Sequence, residues 1–459
     1  MAGSPNEILD VVVGAAEVLA RAGEAHQGLF PSLLDLDSHT MLDQLPDPIP
    51  GQRQGDRSHR GSNLIHDEAA LLTMYALAEA TGRPALAAAA DRYLERFATH
   101  CTGTATGLFP WGEHAYWHLS ADGVGNSGRI SRPDATGGAT HDHLRQAPLW
   151  LWEKLDGFAP ACVQSFAAGL DFHWVAGEPL EYIRHAPIEQ RTHPSRAARS
   201  CDFPRHGGFY ILDWAFAHSR SGESRHLEQM GRMLDYWWTR RDADDLLLIE
   251  SRSPAEDERF YQINAPGQTL SLGASLLEAA SVLEVGAGAA GSDPGELAAI
   301  MRQRAEAYLN GFLAAPHDLA NGVFVILSRR GSGEVTQAMP IWGSVYGVWP
   351  ASYVALTALC AHRLTGRGDL LAWAAAVGER YAAEALPEDV AVPAMDVGLG
   401  LGLLADLYDI TAAPHWLSAG LALADQAMDR FFDRGALPRG AVGIDWYESQ
   451  MGPAFCCTA

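Results

Sequence analysis

A chain of 459 residues with a formal charge of −23 has no basic face to offer nucleic acid or an anionic membrane, since both are bound through clusters of Lys and Arg. Apolar residues make up 47%, against 46 Gly and 25 Pro; that composition excludes a disordered chain and supplies a sizeable core. No apolar stretch runs free of charge for much more than about 18 residues, so no membrane span is expected. The opening MAGSPNEILDVVV lacks the basic segment and apolar core of a secretory signal. A cytoplasmic protein is expected from the sequence as written, or a secreted or periplasmic one if a signal was removed.

In chain order, a first helix is predicted over residues 6–23 and a second over 63–81. Ser62 or Asn63 can cap the second, and Asp67 and Glu68 sit in its first turns, where negative charge suits the helix dipole. Further helices are predicted over 84–101, 148–174, 204–221, 224–241, 268–283, 294–313, 349–365, 369–386, 396–410 and 414–433. Strand-like runs are few, the best being 246–250 and 323–327. One pattern returns through the chain: an apolar helix, a short break, then an amphipathic helix. It spans 77–97 around Thr-Gly, 216–237 around Gly222, 359–382 around Gly366, 403–432 around Ala412-Ala413, and more loosely 268–313. Glycine just past a helix end takes the left-handed conformation cheaply, and such recurrence signals a helical repeat.

Short turns within hairpins alternate with long connections at 102–147, 178–203, 242–267, 314–348, 387–395 and 434–449. Loops this long usually carry function. In a ring of antiparallel hairpins they all fall at one end, and they hold most of the Trp, His, Arg and Tyr. Helices such as 268–283 and 396–410 are rich in Gly, Ala and Ser, as buried inner helices are; their partners carry charged stripes and face water. This alternation resembles the (α/α)6 barrel of the six-hairpin glycosidase-like proteins. The resemblance implies an all-α toroid with short β excursions, one domain over 1–459, and helix 6–23 outside the first hairpin. It also implies the company of glycoside hydrolases, polysaccharide lyases and sugar epimerases, but fold does not fix chemistry.

Candidate site residues cluster in the long loops. Segment 108–119 (LFPWGEHAYWHL) puts Trp111, Glu113, His114, Tyr116 and Trp117 together: aromatic faces for sugar rings, with polar groups between them for hydroxyls. His66 and Asp67 open an inner helix toward the barrel mouth. Segment 202–210 (DFPRHGGFY) sets Asp202, Arg205 and His206 at another helix start, and Arg with His suits a carboxylate or an oxyanion. His141 and His143 flank Asp142, with Arg145 nearby; no third ligand is set by the spacing, so sugar contacts are expected rather than a metal. Arg252, Tyr261 and Gln262 lie in the next long loop. Trp342, Tyr346 and Trp349 form an aromatic rim, Asp396 opens an inner helix, and Tyr447 and Glu448 add a C-terminal rim.

Six cysteines make no CxxC pair and no disulfide framework. The adjacent Cys456 and Cys457 are similar to the zinc site of the β-L-arabinofuranosidases that share this barrel, but the Glu-x-Cys element of those enzymes is missing. No metal or cofactor is expected.

This inventory fits an oligo- or polysaccharide substrate, probed by carboxylates, His and Arg that suggest a uronic acid. Hydrolysis needs an acid and a second carboxylate, drawn from Asp67, Glu113, Asp202, Asp396 and Glu448. A lyase would instead use His114, Tyr116, His206 or Tyr261 as base and acid, with Arg205 neutralising the uronate. Hydrolysis is the leading expectation, β-elimination the alternative, and a sugar epimerase or a non-catalytic sugar-binding protein the third.

Overall fold

Six helical hairpins follow one another along the chain. The computed structural model describes residues 5–131, 138–177, 181–194, 202–249, 262–286, 294–345 and 348–458. After α1 (Pro5–Glu24) come α2 (Leu64–Thr81) with α3 (Pro84–Arg96), the short α4 (Ser127–Ser131), and α5 (Leu149–Phe158) with α6 (Pro160–Gly169). Then follow α7 (Pro204–Ser221) with α8 (Ser224–Trp238), α9 (Pro266–Gly286) with α10 (Pro294–Ala314), α11 (Ala351–Thr365) with α12 (Gly368–Ala383), and α13 (Ala394–Thr411) with α14 (Pro414–Phe431). A last turn, α15 (Phe455–Thr458), ends the described chain. This is an (α/α)6 barrel, as its alternation of helices implied. No helix among the described residues is long and apolar enough to cross a membrane.

The hairpins close as the sequence requires. Gly82, Gly222 and Gly366 stand at φ 66°, 71° and 73° just past α2, α7 and α11, and Ala412 does the same past α13 at φ 53°. The second hairpin was hidden, because residues 148–174 read as one helix. Pro160 lacks an N–H and clashes with the preceding turn, so the helix breaks at Ala159 (φ −151°, ψ 82°) and restarts. Of the predicted strands, 323–327 falls on Val325–Arg329, which pairs with Val335–Ala338. Residues 246–249 make only an isolated bridge, Leu248 to Asn264, and Glu250 lies outside the described residues.

Inner and outer helices differ as their composition implied. Thirteen of the eighteen residues of α7 and ten of those of α13 are buried, against four of those of α14. Along the inner wall α7 packs on α9, α9 on α11 and α11 on α13; α15 fills the gap between α13 and α2. The Cys456 thiol donates to the Ala394 carbonyl (3.1 Å), and the Thr458 and Thr73 hydroxyls meet at 2.7 Å. Gly398 makes room: a Cβ there would lie 2.4 Å from the Phe455 carbonyl carbon. The Cys pair therefore fills a packing seam, and burial pushes the Cys457 thiol up to about 12.

Five inner helices open on one cavity. The second or third residue of each lines it: His66 in α2, Arg205 in α7, Gly267 and Gln268 in α9, Tyr353 in α11 and Met395 in α13.

Ala412 is a direct test of the hairpin chemistry. Its left-handed backbone costs an L-residue about 1–2 kcal/mol, only part of which glycine's greater chain entropy offsets. Ala412→Gly is expected to raise stability by about 0.5–1 kcal/mol in urea denaturation; a loss of stability would show that the hairpin does not close this way.

Candidate functional site

The cavity measures about 610 Å³, within the range of small-molecule sites. One side is apolar and aromatic. Trp349 and Tyr353 stack with centroids 4.4 Å apart and planes 29° apart, and both line the cavity. The wall is also charged, with Glu113, Asp142, Arg53, Arg145, Arg184 and Arg205 on it. Arg184 and Arg205 both lie over the Phe203 ring, 4.3 and 4.6 Å from its centroid. Among the described residues neither Arg145 nor Arg205 forms an ion pair with a carboxylate.

The charged part of the wall is built by backbone pairing. The Asn63 side chain, just before α2, donates to the Gly112 carbonyl (2.7 Å) and accepts from its N–H (3.2 Å). Gly112 also bridges Asp142 in parallel. Its φ is +100°, and a Cβ there would lie 2.0 Å from the Asp142 carbonyl oxygen; only glycine fits. The strand Thr140–His141 pairs with Ala186–Pro187, which brings His185 alongside Asp142. Four groups thus converge on the Asp142 carboxylate: His185 Nε2 at 3.2 Å, Arg184 Nε at 3.4 Å, His114 Nε2 at 3.6 Å and His206 Nδ1 at 3.6 Å. The other face of His114 meets Asp56, Nδ1 to Oδ1 3.5 Å, and Glu113 Oε2 lies 3.8 Å from its Nε2.

Burial dominates the protonation of these groups. It lifts Asp56 to about 8, helped by the negative Glu113 and Asp142, and lifts Glu113 to about 7, helped by Asp142 and opposed by the arginines. Burial also pushes the His114 imidazole down to about 4 and that of His66 to about 3. Burial works to raise Asp142 too, but His185, His206 and Arg184 outweigh it and hold this carboxyl well below its ordinary range.

The sequence-predicted residues fall in three places. His66, Glu113, Arg205 and Trp349 line the cavity. His114 and His206 stand beside Asp142, His114 with its side chain 17% exposed and His206 buried.

The rest lie elsewhere. Trp111 is buried among Phe97, Phe109, Trp152 and Phe166. Tyr116 packs over Gly61 and Gly125, and Trp117 donates to Asp122. His141 and His143 face the core, toward His173 and Asp213. Asp67 accepts from Tyr93 and Ser62 behind the wall. Asp202 is buried just before α7. Gln262 is held by Arg329, Trp342 packs on Tyr381, and Asp396 accepts from the Ser344 amide. Tyr447 is buried, and Glu448 is locked by Arg57 at 2.6 Å. Arg252, Tyr261 and Tyr346 lie outside the described residues.

Sequence reasoning passed over Arg53, Asp56, Arg184 and His185. Arg184-His185 repeats the Arg-His step of Arg205-His206, which was a usable signal; the segment around Asp56 carries none.

In architecture the chain is similar to several solved structures. A D-mannose isomerase is 9% identical at a TM-score of 0.48, over 99% of this chain and 97% of that one. A cellobiose 2-epimerase from Bacillus thermoamylovorans B4167 is 9% identical at 0.47, over 99% and 98%. An unsaturated glucuronyl hydrolase specific for heparin is 9% identical at 0.47, over 99% and 96%. These are six-hairpin glycosidase-like enzymes, and at this identity the likeness is one of fold. No protein-family model and no curated protein matches the chain.

Two substitutions test this framework. Gly112→Ala must displace the Asp142 backbone and hold a strained φ, so a cost of about 3 kcal/mol or more is expected in equilibrium unfolding; wild-type stability would dismiss the clamp. Asp67 is lifted to about 7 by burial, whereas an unfolded aspartate titrates near about 3.9. The stability it contributes is full below about pH 4 and is lost as pH rises to about 7. Asp67→Asn should keep the Tyr93 and Ser62 contacts and flatten that fall by a few kcal/mol. Parallel stability profiles for the two proteins between acid and neutral pH would refute the assignment.

Proposed function

We propose that this protein is a carbohydrate-active enzyme that hydrolyses a glycosidic bond in an oligo- or polysaccharide containing uronic acid. One observation carries the reading: Glu113 and Asp142 face the same cavity as Arg145 and Arg205, two guanidiniums with no carboxylate partner among the described residues. Glycoside hydrolysis needs two carboxyl groups beside the scissile bond, one to protonate the leaving oxygen and one to serve as base or nucleophile. Glu113 takes the first role. Asp142 is the second carboxylate. The Trp349–Tyr353 stack offers an apolar face to a sugar ring, and the two guanidiniums hold the uronate carboxylate through charge-assisted hydrogen bonds. Five helix N-termini aimed at the cavity add positive potential in the same sense.

A second reading rests on a different observation. His66 and His206 are buried, and their ring nitrogens have no hydrogen-bond partner among the described residues. A neutral imidazole in such a place can take a proton from a carbon beside a carbonyl or carboxylate, as epimerisation or β-elimination requires.

Product analysis on a panel of neutral and uronate oligosaccharides separates these. Hydrolysis yields new reducing ends without the ultraviolet absorbance of a new double bond. That absorbance would mean β-elimination, and isomerised sugar without cleavage would mean epimerisation; either result sinks the hydrolytic reading. Under hydrolysis, Glu113→Gln should lower kcat by about 10²–10⁴-fold with little change in KM. Arg145→Ala and Arg205→Ala should raise KM for uronate substrates more than for neutral ones.

A further inference from the structure

We infer that His114, Asp142 and His185 form a binding site for a divalent transition-metal ion, with Asp56 orienting His114. Backbone register brings the three donors together. Gly112 bridges Asp142, so His114, two residues on, comes to stand beside it. His141 pairs with Ala186 across the antiparallel strands, so Asp142 and His185 are the next residues along each. His114 Nε2 and His185 Nε2 approach Asp142 Oδ2 at 3.6 and 3.2 Å, and one ligand atom from each of the three residues lies within 4.8 Å of the others. Ligands on a tetrahedron around zinc, with bonds of about 2.0–2.2 Å, stand about 3.3–3.6 Å apart. The two spacings to Asp142 lie close to that value, and the remaining edge, between the two imidazoles, is within 4.8 Å.

Two features separate this cluster from a set of ion pairs. His185 Nε2 and Asp142 Oδ1 are both buried and neither makes an aligned hydrogen bond, although His185 Nε2 approaches Asp142 Oδ2 to 3.2 Å and His206 Nδ1 approaches Oδ1 to 3.6 Å. Lone pairs brought close but not aligned on each other are what a bound cation would satisfy. Behind them, the Asp56 carboxylate is fully buried, makes no hydrogen bond, and lies 3.5 Å from His114 Nδ1. A carboxylate on the far nitrogen of a ligating imidazole fixes its tautomer and strengthens it as a donor. The Asp142 carboxylate supplies negative charge at the ion. Two imidazoles with one carboxylate select a transition ion over Ca²⁺ or Mg²⁺, which prefer oxygen ligands. Three protein ligands leave a coordination position open to water or substrate.

The test is calorimetric titration of Zn²⁺ into the metal-stripped full chain near neutral pH, followed by Co²⁺ for its visible absorption. Binding of one ion per chain is expected, with Co²⁺ giving the bands of a low-symmetry nitrogen–oxygen site, and Ca²⁺ and Mg²⁺ failing to compete. Asp56→Asn should weaken Zn²⁺ by about 10–100-fold. His185→Gln, at a side chain 31% exposed and so tolerant of change, should abolish binding while circular dichroism stays that of the parent. The inference is overturned if the folded chain takes up no Zn²⁺, or if His185→Gln and His114→Gln bind it as the parent does. Binding is read without a glycan. Failure of the hydrolysis assay therefore leaves the metal site standing, and an empty site leaves the hydrolytic reading to its own assay.

Discussion

The contact on which the site depends is the passage of Gly112 between Asn63 and Asp142. The Asn63 amide satisfies both backbone groups of Gly112, while the far side of that glycine meets the Asp142 carbonyl so closely that no Cβ can enter. Three remote segments become one unit: the start of an inner helix, the loop bearing Glu113 and His114, and the strand bearing Asp142. Asn63 makes no capping bond to α2, although its place in the sequence suits a cap. Its hydrogen bonds go across the barrel mouth instead. A local helix-capping contact has been exchanged for a long-range one, and buried backbone groups that would otherwise lack partners are satisfied by it.

The charge of the chain and the charge of the site have opposite sense. The protein carries −23, yet its cavity gathers four arginines and the N-termini of five inner helices. The barrel topology causes the second part: these five inner helices run away from the cavity, so the partial positive charge of each N-terminus points into it. An anionic ligand would meet repulsion from the outer surface and attraction within the cavity. Buried carboxyl groups lose hydration without bulk water to replace it, which is why Asp56 and Glu113 are pushed up, while His185, His206 and Arg184 beside Asp142 hold it down. Groups close together are thereby kept in different protonation states, the arrangement that acid and base chemistry at one site requires.

How much of this was legible in the sequence follows from the period of each element. The hairpins were readable because left-handed glycines and an apolar-then-amphipathic pattern mark both ends of a pair. Pro160 concealed one hairpin only because the turn it imposes is too short to interrupt the apolar run. The site was readable at the resolution of segments and not of faces. In 141–143 the chain is extended, so successive side chains point to opposite sides. His141 and His143, the conspicuous residues, turn to the core, and Asp142 between them turns to the cavity. Trp111 goes inward while Glu113 lines the cavity, because the chain turns between them at Gly112, whose φ is +100°. Which face is which depends on register with Asn63 and with Ala186–Pro187, partners distant in sequence, and no local pattern encodes that. Asp56 came from a segment without aromatic or helical signal, and only tertiary packing reveals it; His185 carried no more than the repeated Arg-His step.

The inward-facing residues are not idle. Trp111 donates to His141 Nε2 at 3.0 Å, so the His141 proton is on Nδ1 and is donated to His173 Nε2 at 2.7 Å; His173 in turn donates from Nδ1 to the Ile183 carbonyl. Every tautomer in this chain is fixed by its neighbours, and burial keeps both imidazoles uncharged. His143 is tied to Asp213, which also accepts from Trp152. These bonds run from the strand bearing Asp142 to the segment leading into Arg184 and His185, on the side of the sheet away from the cavity. The cavity-facing carboxylate and imidazole are therefore positioned by polar contacts made behind them. A core built only of aliphatic side chains would pack the same strands but would not select one register, because dispersion contacts have no direction and hydrogen bonds do. The imidazole chain sets which atoms face the cavity, and on that the chemistry of Asp142 and His185 depends.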